Sequence, residues 1–308
     1  MQPQLLPQGS RLLLAVSGGQ DSMALLALLQ DLAPLHSWSL SFWHGDHHWH
    51  DGSSQIAAQL GAWCQQRQLR LQVDQAAPGQ VPSEAKARQW RYERLRQRGL
   101  EAGADVVTGH TASDRAETML LQLARGSDLA GLAALPSIRP ISPEGPQLRR
   151  PLLHLQRQDT LQICRDLSLP VWEDPSNQSP AFARNRIRRD VLPVLEELHP
   201  GCSQRMSGLA ERMSQVRDSQ TELSRMALEG LKTPTGLNRR RLGALSPVTR
   251  RLLLAQWLQQ QGVPPLQADQ LEQLSQRLQE GAPGGAADLA GGWQISWKGG
   301  ETVLKKET

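Results

Sequence analysis

Short apolar runs alternate with helical stripes over roughly the first 190 residues. Residues 12–16 are an unbroken apolar run, and from Ser22 the apolar positions fall three and four apart as far as residue 32. The same alternation gives a run at 40–44, a stripe at 54–67 and a run at 69–73. After a linker come a stripe at 82–99, a run at 104–108 and a stripe at 113–125. Strands separated by helices read as βαβ units, so the expected fold class is α/β, a parallel sheet with helices on both faces. Ligands then bind at the carboxyl ends of the strands. Residues 131–145 combine Pro and Gly with little periodicity and read as a loop or surface crossing.

The pattern changes after Phe182, where an arginine-dense helix is expected, and Pro200-Gly201 marks a break. A first domain at 1–199 and a smaller, mainly helical one at 200–308 are therefore expected. Residues 203–279 keep an apolar stripe among Gln, Arg and Glu, enough for three or four helices. Glycine pairs then separate 293–297 from 302–304, the pattern of a small hairpin.

Composition adds modest constraints. The 308 residues, 39% hydrophobic, suffice for about two domains with sizeable cores. Lys and Arg outnumber Asp and Glu by 34 to 30, and arginine predominates; guanidinium forks suit phosphate backbones, although a hydrated face of mixed charge has the same composition. Cys64, Cys164 and Cys202 are far apart and lack any C-x-x-C pair, which argues against a disulfide framework, a zinc knuckle or an iron–sulfur site and fits a reducing cytoplasm. No apolar run approaches the roughly 18 residues of a membrane span, so no membrane partner is expected.

Candidate chemistry concentrates at four places. The first is Ser17-Gly18-Gly19-Gln20-Asp21-Ser22, between a strand and a helix. Paired glycines let backbone N–H groups turn inward, two hydroxyls add donors, and a helix N-terminus faces the turn, which together suit a phosphate. Asp21 would repel that phosphate unless a bound Mg²⁺ intervened, and the Walker lysine is missing. A strand-to-helix turn with a serine cap is the plainer alternative.

The second is Gly109-His110-Thr111-Ala112-Ser113-Asp114-Arg115-Ala116-Glu117-Thr118, where Asp114 and Glu117 share a helix face beside His110. The spacing Thr111-x-x-Asp114 also fits a capping box. The third is the helix carrying Arg88, Arg91 and Arg94 around the chain's single tyrosine, Tyr92. The fourth is Arg184-Asn185-Arg186-Ile187-Arg188-Arg189. Either could clamp an RNA backbone or lie hydrated on a surface. The same two readings apply to Asn238-Arg239-Arg240-Arg241 and Arg250-Arg251 farther along. His44, Asp46, His47, His48 and His50 crowd one strand end, but their spacing does not suit zinc. The nine tryptophans are spread out and read mostly as packing residues.

SGGQDS resembles the PP-loop of the ATP pyrophosphatases, which implies cleavage between the α and β phosphates. Taken with His44-Gly45-Asp46-His47, EAKARQWRYERL, GHTASDRAETMLLQLARG, Arg150-Pro151-Leu152-Leu153 and EDPSNQSPAFARNRIRRDVLPVL, the region 10–200 is similar to the tRNA(Ile)-lysidine synthetases, in their short form. That resemblance implies adenylation of the C2 oxygen of the wobble cytidine in a CAU-anticodon tRNA(Ile), then attack by the ε-amine of L-lysine to give lysidine, AMP and pyrophosphate. It implies ATP and Mg²⁺ at Ser17, Gly18, Gly19, Gln20, Asp21 and Ser22, with Asp21 as metal ligand. Catalysis falls to Asp21, His110, Asp114 and Glu117, the two acids of the helix holding the lysine. Arg88, Arg91, Arg184, Asn185, Arg186 and Arg188 would stabilise the adenylate or bind tRNA. A cytoplasmic enzyme is implied, and a homodimer is open. Ser113 stands where the family has a further acid. A PP-loop tRNA thiolase and a non-catalytic RNA-binding protein are the alternatives.

Overall fold

In the computed structural model, residues 4–48, 52–77, 79–81, 83–172 and 182–306 are described. Strand β1 (Arg11–Ala15) is apolar at every central position because both of its faces are covered. Leu12 and Leu14 join one core with helices α1 (Gln20–His36) and α2 (Ser53–Gln66), and Leu13 joins another with α3 (Glu84–Ala102). All three leucines are 0% exposed, and each such burial stabilises the fold by about 1.5–3 kcal/mol.

On one side β1 pairs with β2 (Ser39–Asp46), which pairs with β3 (Leu71–Gln75). On the other it pairs with β4 (Asp105–Thr108), followed by β6 (Gln147–Arg149) and β5 (Ile138–Pro140). The ladders are parallel except that between β5 and β6. The four strands β3-β2-β1-β4 and the helices α1, α2 and α3 are those expected from the sequence pattern, whereas β5 and β6 are not. Because the chain leaves β1 in one direction and returns through β4 in the other, a crevice opens at the carboxyl ends of these two strands.

Two departures matter. The stretch 131–145, expected as loop, begins inside the short helix α5 (Leu129–Leu132) and contains β5, and β6 comes just after it. Strands of three residues are too short to show a period of two. Between β6 and Trp172 the sequence reading placed no element, yet α6 (Arg157–Asp166) packs on α1 and opens with Gln156 N donating to Asp159 Oδ2 at 2.6 Å. Helix α4 (Ala112–Ala124) follows β4. Further on lie α7 (Ala183–Arg186), a π-helical turn at Ile187–Val191 and α8 (Leu192–Leu198).

Helix α9 (Cys202–Leu231) starts at the expected break. Glu196 accepts from the N–H groups of Gly201 and Ser203 at 2.7 and 2.9 Å; burial alone would raise its pKa, but these donors hold it down at about 2. The contacts divide the chain into compact units at 1–215 and 216–308, a boundary inside α9 and beyond the expected 199/200.

The second unit continues with β7 (Gly236–Asn238), α10 (Arg239–Gly243), α11 (Pro247–Gln260), α12 (Ala268–Arg277), β8 (Gly285–Leu289), β9 (Trp293–Lys298) and β10 (Glu301–Lys306). Its core is built on Leu237, Leu253, Leu254, Trp257, Ile295 and Trp297. The expected hairpin, β9 with β10, is the centre of a four-stranded antiparallel sheet, β7-β10-β9-β8. Gly236 explains why β7 can join it: a Cβ there would lie 2.0 Å from the Thr302 carbonyl oxygen.

Candidate active site at the ends of β1 and β4

The turn after β1 is held by its own hydroxyls. Ser22 Oγ accepts from Ser17 N and Ser17 Oγ, both at 3.1 Å, and donates to Gly19 O at 2.8 Å. Ser22 is buried and its hydroxyl is engaged inside the turn, whereas Ser17 is exposed at the mouth. Gly18 has φ +86°, the left-handed region that glycine tolerates, and a Cβ would come 3.2 Å from the Trp172 ring. Gly19 precedes α1 without a side-chain cap, so the first N–H groups of that helix have no side-chain acceptor there. His44 is buried beneath the turn with Nδ1 2.8 Å from Val16 O, and burial lowers its pKa, so it donates as a neutral ring.

Asp21 stands on the first turn of α1. Its Oδ1 accepts from Thr160 Oγ1 at 2.5 Å, and Arg157 lies 3.7 Å from Oδ2. Gln20 Nε2 donates to Arg157 O at 2.7 Å and to Thr160 Oγ1 at 3.1 Å. Helix α6 therefore walls the turn, a role that only the capping spacing of Gln156 and Asp159 could have hinted at. Burial raises the Asp21 pKa, the nearby charge of Asp114 adds to the rise, and Thr160 and Arg157 offset part of it.

The turn after β4 touches the first directly. A Cβ on Gly109 would lie 2.8 Å from Asp21 O, so glycine lets the two strand-end turns close on each other. His110 Nδ1 is 2.8 Å from Thr108 Oγ1. Burial keeps the ring neutral, with its pKa lowered to about 3; Arg150, Arg184 and Arg88 reinforce this against the pull of Asp114.

Asp114 is both a cap and a candidate site residue. Oδ2 accepts from Thr111 N at 2.8 Å and Thr111 Oγ1 at 3.0 Å, while Oδ1 meets Arg184 Nη2 at 3.0 Å and Arg188 Nη2 at 3.4 Å. Glu117, 0% exposed, accepts from Arg184 Nε at 2.7 Å and from Arg188 Nε at 2.6 Å. Burial would raise the Asp114 pKa, but Arg184, His110, the Thr111 N–H and Arg188 hold it below the usual carboxylate value. The acids and the basic segment, read separately in the sequence, thus form one cluster of two carboxylates and two guanidiniums. Arg188 also feels the charge of Asp21, which ties this cluster to the turn after β1.

The other sequence-predicted residues divide. Arg184 and Arg188 are four apart and face α4; Arg186 and Arg189 are exposed on the other side with Asp190, at 3.9 and 2.7 Å. Asn185 is partly buried on α7. Arg88 is exposed with Cζ 5.0 Å from the Tyr92 ring centre, and Arg91 Nη2 is 3.4 Å from His47 Nε2. Ser113 Oγ lies 3.4 Å from Arg157 N. The segment 173–181, with the D-x-S-N motif, and His50 lie outside the described residues. Cys64, Cys164 and Cys202 are buried with thiol pKa values raised by burial, an inert setting for a nucleophile.

The arrangement offers a phosphate turn, an acid beside it and a charge-balanced cluster one strand away. The chain is similar to known proteins over most of its length. Residues 2–195 match a PP-loop domain and residues 237–303 match a TilS substrate binding domain. The chain is 67% identical over 306 residues to the tRNA(Ile)-lysidine synthase of Parasynechococcus marenigrum, covering 98% of this chain and 91% of that one. It is 44% identical over 301 residues to a tRNA(Ile)-lysidine synthase of Prochlorococcus marinus, covering 95% and 89%. Among solved structures, the U34-tRNA thiolase NcsA from Methanococcus maripaludis superposes with a TM-score of 0.57 at 18% identity, covering 68% of this chain and 73% of that one, which is a likeness of fold.

Proposed function

This chain belongs to the tRNA(Ile)-lysidine synthase family, and we propose that the crevice at the ends of β1 and β4 is where it joins L-lysine to the wobble cytidine of tRNA(Ile) at the expense of ATP. The observation that carries the reading is the convergence of Asp114, Glu117, Arg184 and Arg188 beside the turn at 17–22. The turn holds the ATP phosphates through its backbone N–H groups and, once the exposed Ser17 hydroxyl turns away from Ser22, through that hydroxyl, while Ser22 keeps the shape of the turn. The cytidine C2 oxygen attacks the α-phosphorus, pyrophosphate departs, and the adenylated base remains in the crevice. The lysine ε-amine then attacks C2 and AMP leaves.

A lysine enters as an ammonium and must react as a free amine. Asp114 and Glu117 attract the cation; Arg184 and Arg188, already on the same oxygens, are like charges that lower the amine's pKa. The proton released on attack passes to the carboxylate pair. Neutral His110 lies against these groups as an uncharged hydrogen-bonding ring.

Asp21 fits a Mg²⁺ ion, because burial and the neighbouring Asp114 disfavour its charge in the absence of a cation. Bound by Asp21 and the ATP phosphates, Mg²⁺ would supply neutralisation of the pyrophosphate leaving group. No helix among the described residues is long and apolar enough to cross a membrane, and a cytoplasmic site of action agrees with the buried free thiols. The test is incorporation of labelled lysine into CAU-anticodon tRNA(Ile) with ATP and Mg²⁺. Incorporation with stoichiometric AMP release is expected, and AMP release without labelled RNA would sink the reading.

A further inference from the structure

Beside His110, on the α3 side of the sheet, three guanidiniums gather around Tyr92. Arg88 and Arg139 place Cζ 5.0 and 4.9 Å from the centre of its ring. Arg150, at the end of β6, contributes its charge to the same phenol and is itself 1% exposed. Its Nη1 donates to Pro136 O at 2.6 Å, but its Nε is buried without any hydrogen-bond partner. Among the described residues no carboxylate pairs with Arg88, Arg139 or Arg150. The neighbouring Arg149 pairs with Asp105 at 2.7 Å, and Arg184 and Arg188 have Asp114 and Glu117.

Three like charges around one ring, one of them buried with an orphaned donor, repel one another and are costly without an anion. We propose that Arg88, Arg139, Arg150 and Tyr92 form a second anion seat, separate from the turn at 17–22, that takes a backbone phosphodiester of the RNA substrate. This rests on the reading that the substrate is tRNA. RNA is favoured over ATP by position. Tyr92 and Arg88 belong to α3 and the core beneath it, whereas the phosphate turn leads into α1 on the opposite face of β1. Arg88 is exposed, so a strand can reach the seat from outside, and guanidinium forks match phosphate oxygens two at a time. A phosphodiester held here would fix the strand next to His110 and the Asp114–Glu117 pair.

Binding of full-length tRNA(Ile) to the intact protein, measured without lysine at several salt concentrations, tests this. Arg139→Gln should weaken binding about tenfold and reduce the slope of log K against log salt by about one, leaving KM for ATP within about twofold of wild type. Because Tyr92 is the only tyrosine, phenolate absorbance reports on the seat directly: tRNA should raise the pH at which the phenol ionises, and ATP alone should not. Arg150→Lys, checked for folding by circular dichroism, should repeat the tRNA defect if the buried fork is part of the seat. An unchanged salt slope in Arg139→Gln, or a phenol that responds to ATP and not to tRNA, would overturn the proposal. Loss of labelled-lysine incorporation by the wild type would overturn the functional reading instead, so the two failures are separable.

Discussion

Gly109 lies against the backbone of Asp21 so closely that a Cβ would fall 2.8 Å from the Asp21 carbonyl oxygen and 2.9 Å from its carbonyl carbon. Both atoms are main chain, so no side chain can swing away to make room. This contact sets the distance between the phosphate turn and the residues of α4. Gly109→Ala should therefore cost about 1–3 kcal/mol in urea unfolding through overpacking, and tRNA-dependent AMP release should fall by far more than the fraction of protein unfolded. A variant with wild-type AMP release would show that the spacing of the two turns is not critical.

The Glu117 carboxylate holds two arginines. Glu117→Gln keeps the volume but removes the charge that balances Arg184 and Arg188. We expect lysine incorporation to drop at least a hundredfold, with KM for lysine rising more than KM for ATP. Glu117→Ala should in addition lower stability by several kcal/mol, about 3–5 for a fully buried pair and less here because both arginines keep some solvent contact. Steady-state kinetics with lysine and ATP varied in turn, together with a thermal melt, check both.

Asp21 is placed where its charge is disfavoured. Asp21→Asn should raise the melting temperature of the ligand-free protein, since the neutral amide escapes the burial cost and can still accept from Thr160. It should also abolish ATP turnover and the extra stabilisation given by Mg²⁺ with ATP. A melting temperature that falls in the variant would contradict the assignment.

Among the groups whose pKa folding lowers, His44 and Glu196 included, the two that lie in the candidate site are His110 and Asp114. Both have pKa values lowered by folding, so each contributes stability that is present above its unfolded value and is lost as pH falls. For His110 that loss begins below about 6.5 and continues toward about 3; Asp114 adds its share below about 3.9. Asp21 works in the opposite sense, its cost being relieved as pH falls through its raised pKa. Denaturation midpoints should thus drop between pH 7 and pH 5 in the wild type, and drop less in His110→Gln.

Much of the first unit was legible in the chain. The run at 12–16, the turn SGGQDS and the stripe after it are local, and each needs only a few consecutive residues to declare itself. Asp114 and Glu117 share a helix face by spacing alone, and so do Arg184 and Arg188. The helix α6 and the strands β5 and β6 were not legible, the first because its stripe is short and polar, the others because three residues carry no period. Arg250, expected as a candidate RNA contact along with 238–241 and Arg251, is buried and donates to Ser275 and Gly243, which no linear pattern distinguishes from an exposed arginine.

Local order and chemistry followed from the sequence itself: alternating strands and helices, a glycine turn suited to phosphate, acids and arginines in a recognisable series. Which of those groups meet was decided only by the tertiary structure. Thr160 reaches Asp21 across 139 positions of chain, and Arg184 reaches Glu117 across 67. The physical reason is that a strand or turn is specified by neighbours within a few residues, whereas an ion cluster is specified by burial and by which helices the sheet brings side by side. The arginines of the RNRIRR segment look from the sequence like free charge for RNA. Folding divides them, two matched to buried carboxylates and two left facing outward.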